Sequence, residues 1–141
     1  MTLREKNVFS ISIYLSIFSG IVYGIFKYFI QSESKWGVLV QHPLQSDFLH
    51  IHILIVPIMV FYVGYFWKTH IWSSYKNKKS RFRKSGLILF FTLFPMIFSG
   101  YLIQTLIEVN LRNYIGYFHT GISVLFSIIF LYHQLRSRKL F

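Results

Sequence analysis

The stretch Gly116–His133, Gly-Tyr-Phe-His-Thr-Gly-Ile-Ser-Val-Leu-Phe-Ser-Ile-Ile-Phe-Leu-Tyr-His, predicts an apolar helix with one histidine near each end. The fourteen-residue step from His119 to His133 places the two imidazoles about 40° apart around a helix axis and about 21 Å apart along it. A titratable ring inside a lipid-length helix is costly unless it faces a partner on another helix. The spacing therefore predicts two functional sites at two depths.

The composition is that of an integral membrane protein. Of the 141 residues, 54% are hydrophobic and 21% are aromatic. Only 13% are charged, against about 25% in soluble domains. The absence of cysteine excludes a disulfide framework, iron–sulfur ligation and a covalent c-type haem attachment motif.

Four apolar runs predict an all-α fold, an integral membrane four-helix bundle in a single transmembrane domain. The predicted spans are residues 8–30, 49–71, 86–107 and 114–133. Residues 31–48 are predicted to lie along the outer membrane surface, with Trp36 in the interfacial belt. Residues 75–85 form a basic loop that is too hydrophilic to enter lipid.

The positive charges predict the orientation of these spans. Twelve of the fifteen Lys and Arg residues lie in the N-terminal tail, at the exit of the second span, in the basic loop or in the C-terminal tail. The positive-inside rule then places both termini and the basic loop in the cytoplasm, which suits a bacterial inner membrane. The net charge of +11 is spread over short juxtamembrane segments, which indicates contact with anionic lipid and argues against nucleic-acid binding.

The second span supplies histidine partners for the fourth, because both are predicted to run from outside to inside. The eighteen-residue step from His52 to His70 is five full turns and keeps both rings on one face, whereas His50 lies about 200° from His70. We therefore expect an outer layer containing His52 and His119 and an inner layer containing His70 and His133. His50 is the alternate outer residue.

Small residues on the other two spans repeat the same step. Gly86 and Gly100 are fourteen residues apart on the third span, and Ser10 and Gly24 are fourteen apart on the first. Small residues allow a flat macrocycle to approach a helix backbone. Gly24 and Gly100 are predicted in the outer layer, and Ser10 and Gly86 in the inner one.

This pattern resembles the four-helix core of the dihaem b-type membrane cytochromes, which include respiratory cytochrome b and the small cytochrome b subunits of membrane hydrogenases and formate dehydrogenases. The resemblance covers all four spans. It implies two haem b groups with bis-histidine ligation, by His52 and His119 in the outer layer and by His70 and His133 in the inner one. The eighteen-residue step of the second span departs from fourteen, which leaves His50 open as the outer ligand.

The resemblance also implies a function and partners. A dihaem subunit would carry electrons between a partner redox protein, such as a c-type cytochrome or an iron–sulfur protein, and quinone or a second carrier. Lys27 and Arg112, at the outer ends of two spans, are candidates to pair with haem propionates. Two other interpretations remain, a haem-free membrane anchor or assembly subunit of a larger complex and a histidine-lined metal transporter.

Overall fold

The computed structural model describes residues 2–33, 39–77 and 83–138. The helical segments are α1 (Leu3–Tyr28), α2 (Pro43–Tyr65), a π-helical turn (Trp67–Trp72), α3 (Ser73–Lys76), α4 (Arg83–Thr105) and α5 (Val109–Arg138). Two short antiparallel strands, β1 (Gln31–Glu33) and β2 (Leu39–Gln41), connect α1 to α2.

Helices α1, α2, α4 and α5 are each long and apolar enough to cross a membrane. Their exposed side chains include large apolar groups, for example Leu54, Phe61 and Phe98. Water solvates such a surface poorly, whereas lipid tails are equally apolar. The predicted all-α class and the four membrane-length helices are confirmed, and they identify a multi-pass membrane protein.

The second membrane-length helix begins and ends earlier than predicted. Pro43 occupies its first position, where its missing N–H does no harm. His42 caps this end, since its Nδ1 accepts a hydrogen bond of 3.2 Å from the backbone N–H of Leu44. The regular helix ends at Tyr65 and the π-helical turn follows, so that His70 lies in that turn.

The predicted surface segment, residues 31–48, contains the two strands and the first turns of α2. Trp36 and residues 78–82 of the basic loop lie outside the described residues.

The chain divides into two compact units, Met1–Trp67 and Lys68–Phe141. In the first, α1 and α2 pack antiparallel. The rings of Phe9 and Phe66 lie 5.3 Å apart near one end of the pair, and those of Phe26 and His42 stack at 4.5 Å near the other. In the second, α4 and α5 pack together across a three-residue link. We call these pairs the first and second hairpins.

Helix α1 buries hydroxyl groups along much of its length. Ser12, Ser16 and Ser19 are buried and donate hydrogen bonds to the carbonyls of Phe9, Ser12 and Ser16 at 2.8, 2.9 and 3.1 Å. Each hydroxyl is therefore satisfied within its own helix. The small side chains also allow a neighbouring helix to approach closely.

Glu108 caps the N-terminus of α5. Its carboxylate accepts hydrogen bonds from the backbone N–H groups of Leu111 and Asn110, the latter at 2.9 Å. These two N–H groups, of which that of Leu111 has the larger effect, hold the pKa of Glu108 below its ordinary value of 4.5. A carboxylate with a lowered pKa stabilises the fold above its unfolded-state pKa and loses that contribution as the pH falls through the folded-state value.

We therefore expect Glu108→Gln to lower the thermal unfolding midpoint of the detergent-solubilised protein at neutral pH. The difference from the parent protein should shrink as the pH falls below about 4.5. Unfolding followed by circular dichroism at several pH values measures it, and a difference that is independent of pH would contradict the capping role.

Candidate functional site: three histidine clasps

His52, in the middle of the first hairpin, is held by two adjacent residues of α1. Its Nδ1 lies 3.0 Å from the hydroxyl of Ser19. A Cβ atom built on Gly20 would lie only 2.9 Å from Cε1 of the ring, closer than side-chain atoms normally approach. Ser19 is 1% exposed, so the contact lies in the interior. We call this arrangement, with a histidine on one helix and a Ser–Gly pair on the other, a histidine clasp.

His119 forms the same clasp in the second hairpin. Its Nδ1 lies 3.0 Å from the hydroxyl of Ser99 and 3.0 Å from the carbonyl oxygen of Met96. A Cβ built on Gly100 would lie 3.1 Å from Cε1 of His119. Ser99 is buried and donates its own proton to the Met96 carbonyl. In both clasps, therefore, the serine also donates a hydrogen bond to the backbone carbonyl three residues earlier in its own helix.

His133 forms a third clasp, further along the second hairpin. Its Nδ1 lies 2.8 Å from the hydroxyl of Ser85, and a Cβ built on Gly86 would lie 3.8 Å from its Cε1. The histidine step and the Ser–Gly step are both fourteen residues. Because α4 and α5 pack antiparallel, equal steps bring both histidines of α5 onto one face of α4.

The hydrogen bonds of His119 indicate which of its ring nitrogens carries the proton. Its Nδ1 lies 3.0 Å from the carbonyl oxygen of Met96, and because a carbonyl oxygen can only accept, a bond between the two atoms requires the proton on Nδ1. A neutral imidazole with its proton on Nδ1 has its lone pair on Nε2, the atom with which such a ring could bind a metal. In the other two clasps the serine hydroxyl can donate or accept, so the contact orients the ring without defining its tautomer.

The two hairpins repeat one pattern. A shift of 80 residues takes Ser19 and Gly20 onto Ser99 and Gly100, and a shift of 67 takes His52 onto His119. The same shifts relate further pairs of buried residues, namely Ile13 and Leu93, Ser16 and Met96, Met59 and Phe126, and Val63 and Phe130. Equivalent burial on both helices shows that the clasps occupy equivalent positions in the two hairpins.

The other predicted histidine positions differ in their surroundings. His50 is exposed, whereas His52, only two residues away, forms the clasp. His70 is half-buried in the π-helical turn. Ser10 is buried on α1. Of the two possible outer histidines, His52 is the one that contacts α1 through a hydrogen bond.

Glycines have two different environments in the structure. Gly86 and Gly100 each lie against a histidine ring, and Gly20 does so in the first hairpin. A Cβ built on Gly24 would have no atom within 4 Å. The step of fourteen residues predicted Gly86 and Gly100 beside a macrocycle, and the nearest side chains to them in the structure are the imidazoles of His133 and His119.

The predicted cations lie near the ends of helices. The amino group of Lys27 lies 5.7 and 5.3 Å from the ring centres of Tyr23 and Tyr28. Arg112 is exposed in the first turns of α5. In the part of the chain that the structure describes, no three His, Cys, Asp or Glu side chains are grouped as they are in a multi-ligand metal site.

Sequence reasoning missed Ser19, Ser85, Ser99 and Gly20. The signal that could have found them is the Ser–Gly dipeptide, which occurs three times in the sequence, and in every case contacts a histidine. Comparison with other proteins adds nothing to this signal, because no protein-family model, no curated protein and no solved structure matches the chain.

Proposed function

We propose that this chain is a dihaem b-type cytochrome subunit of a bacterial cytoplasmic membrane, with both termini in the cytoplasm. It would pass electrons between a redox partner, such as a c-type cytochrome or an iron–sulfur protein, and quinone or a second carrier. The supporting observation is the clasp, in which Nδ1 of an imidazole in a membrane-length helix lies within hydrogen-bond distance of a serine hydroxyl on the neighbouring helix. A hydrogen-bonded second ring nitrogen is the usual arrangement of histidines that bind metals.

In this proposal His52 and His119 would hold one haem, and His70 and His133 would hold the other. Haems held by two imidazoles would supply one-electron transfer. The serines orient the imidazole rings by hydrogen bonds, and the glycines, which have no side chain, allow the rings to pack closely against the neighbouring helix. The apolar helices would exclude water from the metal and lower the dielectric constant around it.

Three further residues have proposed roles toward the same groups. Gly24 is proposed to lie against a macrocycle, since α1 has no side chain there and a Cβ would meet open space. Lys27 and Arg112 are proposed to pair with haem propionates, because cations near helix ends can reach polar groups at the membrane surface.

Haem stoichiometry tests this function. The protein, expressed with an adequate haem supply and purified in detergent, should give a pyridine haemochrome spectrum of b-type haem at two per chain. One haem per chain would overturn the dihaem form. Full-length, folded protein without haem would favour a haem-free membrane anchor.

The serine hydroxyls are expected to tune the potential. In the proposed site Ser19 would accept a hydrogen bond from Nδ1–H of His52. Ser19→Ala would remove that acceptor, so the imidazole would donate less electron density to iron and the ferrous state would be favoured. We expect the midpoint potential of that haem to rise in a spectroscopic redox titration. Ser16→Ala is the matched control, because Ser16 is also buried on α1 and bonds only backbone among its observed contacts. Equal shifts in both variants would contradict the role of Ser19.

A further inference from the structure

The second compact unit, Lys68–Phe141, is rich in cations and poor in acids. It contains eleven Lys and Arg residues, whereas Glu108 is its one acidic residue. The carboxylate of Glu108 already accepts hydrogen bonds from backbone N–H groups at the start of α5. The unit therefore supplies no second acid to balance its positive charge.

Arg83, the first residue of α4, has a buried hydrogen-bond donor. Its Nε is buried, and in the part of the chain that the structure describes no atom accepts a hydrogen bond from it. A buried donor on a charged group costs free energy unless an acceptor meets it. The planar fork of N–H groups in a guanidinium matches the oxygens of a phosphate. The chemistry of this side chain therefore favours a phosphate oxygen as its acceptor.

An apolar surface on α4 continues from Arg83 towards the middle of the helix. Phe90 and Phe94 follow Arg83 by seven and eleven residues, which places each within about 20° of it around the helix axis and about 10 and 16 Å along it. The two rings contact each other edge to face, with their centres 5.3 Å apart, and Phe94 is 50% exposed. We call these three residues the α4 stripe. It has the order of a phospholipid, with a charge at the helix end and apolar groups deeper in the membrane.

The short helix α3 borders the α4 stripe. Tyr75 stacks on Phe90, with ring centres 6.4 Å apart, and on Trp72, with ring centres 5.4 Å apart. The amino group of Lys76 lies 5.2 Å from the ring centre of Trp72. Trp72 and Tyr75 are 40% and 42% exposed, and exposed Trp and Tyr rings are typical of the headgroup level of a membrane. Helix α3 thus adds a second cation and two interfacial rings beside the stripe.

We propose that the α4 stripe is a defined binding site for one anionic phospholipid. Arg83 donates a hydrogen bond from Nε to a phosphate oxygen, and Phe90 and Phe94 contact an acyl chain. The excess of cations in the unit favours a headgroup with net negative charge over a zwitterionic one, whose ammonium group adds a positive charge. The proposal rests on the membrane-length helix and on these contacts, and it does not require the proposed haems.

Lipid-dependent stability of the full-length protein in detergent tests the site. Dioleoyl phosphatidylglycerol should raise the thermal unfolding midpoint more than dioleoyl phosphatidylcholine at the same mole fraction, because a ligand of the folded state stabilises it. Native mass spectrometry should show one retained phosphatidylglycerol. Arg83→Gln should weaken this binding about tenfold, as expected for the loss of one charge-assisted hydrogen bond. Arg4→Gln is the matched control, because it removes the same charge from an exposed position of α1 and should leave the binding unchanged.

A second variant separates the hydrogen bond from general attraction between charges. Arg83→Lys keeps the positive charge but removes the Nε donor, so it should also weaken the binding. An equal response to phosphatidylglycerol in the parent protein and both Arg83 variants would overturn the proposal. Equal stabilisation of the parent by the two lipids, or an equal loss of binding in Arg4→Gln, would do the same.

Glycerol phosphate distinguishes a lipid from a soluble phosphate as the ligand. It lacks acyl chains, so it should not stabilise the protein at concentrations at which phosphatidylglycerol does. Equal stabilisation by glycerol phosphate would contradict a lipid site. A haem count on the same samples keeps the two proposals apart, because a protein without haem would overturn the proposed function and leave the lipid result standing.

Discussion

Replacing His119 with alanine is expected to remove one haem and leave the other in place. In the proposed function His119 would hold one haem, and His133, about 21 Å away along the same helix, would hold the other. His133→Ala is expected to remove the second haem instead. Haem counts from pyridine extracts, with low-temperature spectra of each variant, measure both effects.

His50→Ala and His52→Ala form the control pair for the first hairpin. His50 is exposed, whereas His52 is hydrogen-bonded to Ser19, so only His52→Ala should remove the haem assigned to His119. The ligand assignment would be wrong if His133→Ala kept both haems at full occupancy and with unchanged potentials.

The second large effect is expected from Gly20→Ala. The new methyl group would lie 2.9 Å from Cε1 of His52, so the ring must shift away from α1, which disturbs its contact with Ser19. In an open helical position the same substitution stabilises the helix by up to about 1 kcal/mol. A loss of haem or of thermal stability in Gly20→Ala would therefore report the contact with the imidazole, since helix propensity acts in the opposite direction.

The glycines offer a graded series for this test. The built Cβ lies 2.9 Å from the ring at Gly20, 3.1 Å at Gly100 and 3.8 Å at Gly86. Haem loss on substitution by alanine should follow that order, with Gly86→Ala near the parent protein. Gly64→Ala, whose Cβ would meet no atom within 4 Å, is the control in the first hairpin. Equal haem loss in Gly64→Ala and Gly20→Ala would contradict the steric argument.

The membrane-length helices were predictable because lipid imposes a length and an apolar composition on any spanning helix. The fourteen-residue step in α5 was also informative, because the partner helix α4 repeats it in Ser85–Gly86 and Ser99–Gly100. Equal spacing of these residues on both helices of an antiparallel pair can be read directly from the sequence and indicates which residues face each other.

Other features depend on contacts that periodicity does not encode. The early start of α2 depends on the cap by His42 and on Pro43. The choice of Gly20 rather than Gly24 beside His52 depends on how α1 is rotated toward α2. The π-helical turn that contains His70 cannot be distinguished in the hydropathy pattern, because all helices in lipid have similar composition.

The internal bonding of each hairpin has a consequence for how the chain is made. In every clasp the serine lies on the earlier helix and the histidine on the later one. As the chain emerges from the ribosome and enters the bilayer, the hydroxyl is already present when its imidazole arrives. Nδ1 of each ring thus finds its partner within the nascent hairpin. If the protein holds the proposed haems, their delivery could therefore be a separate, later step of biogenesis.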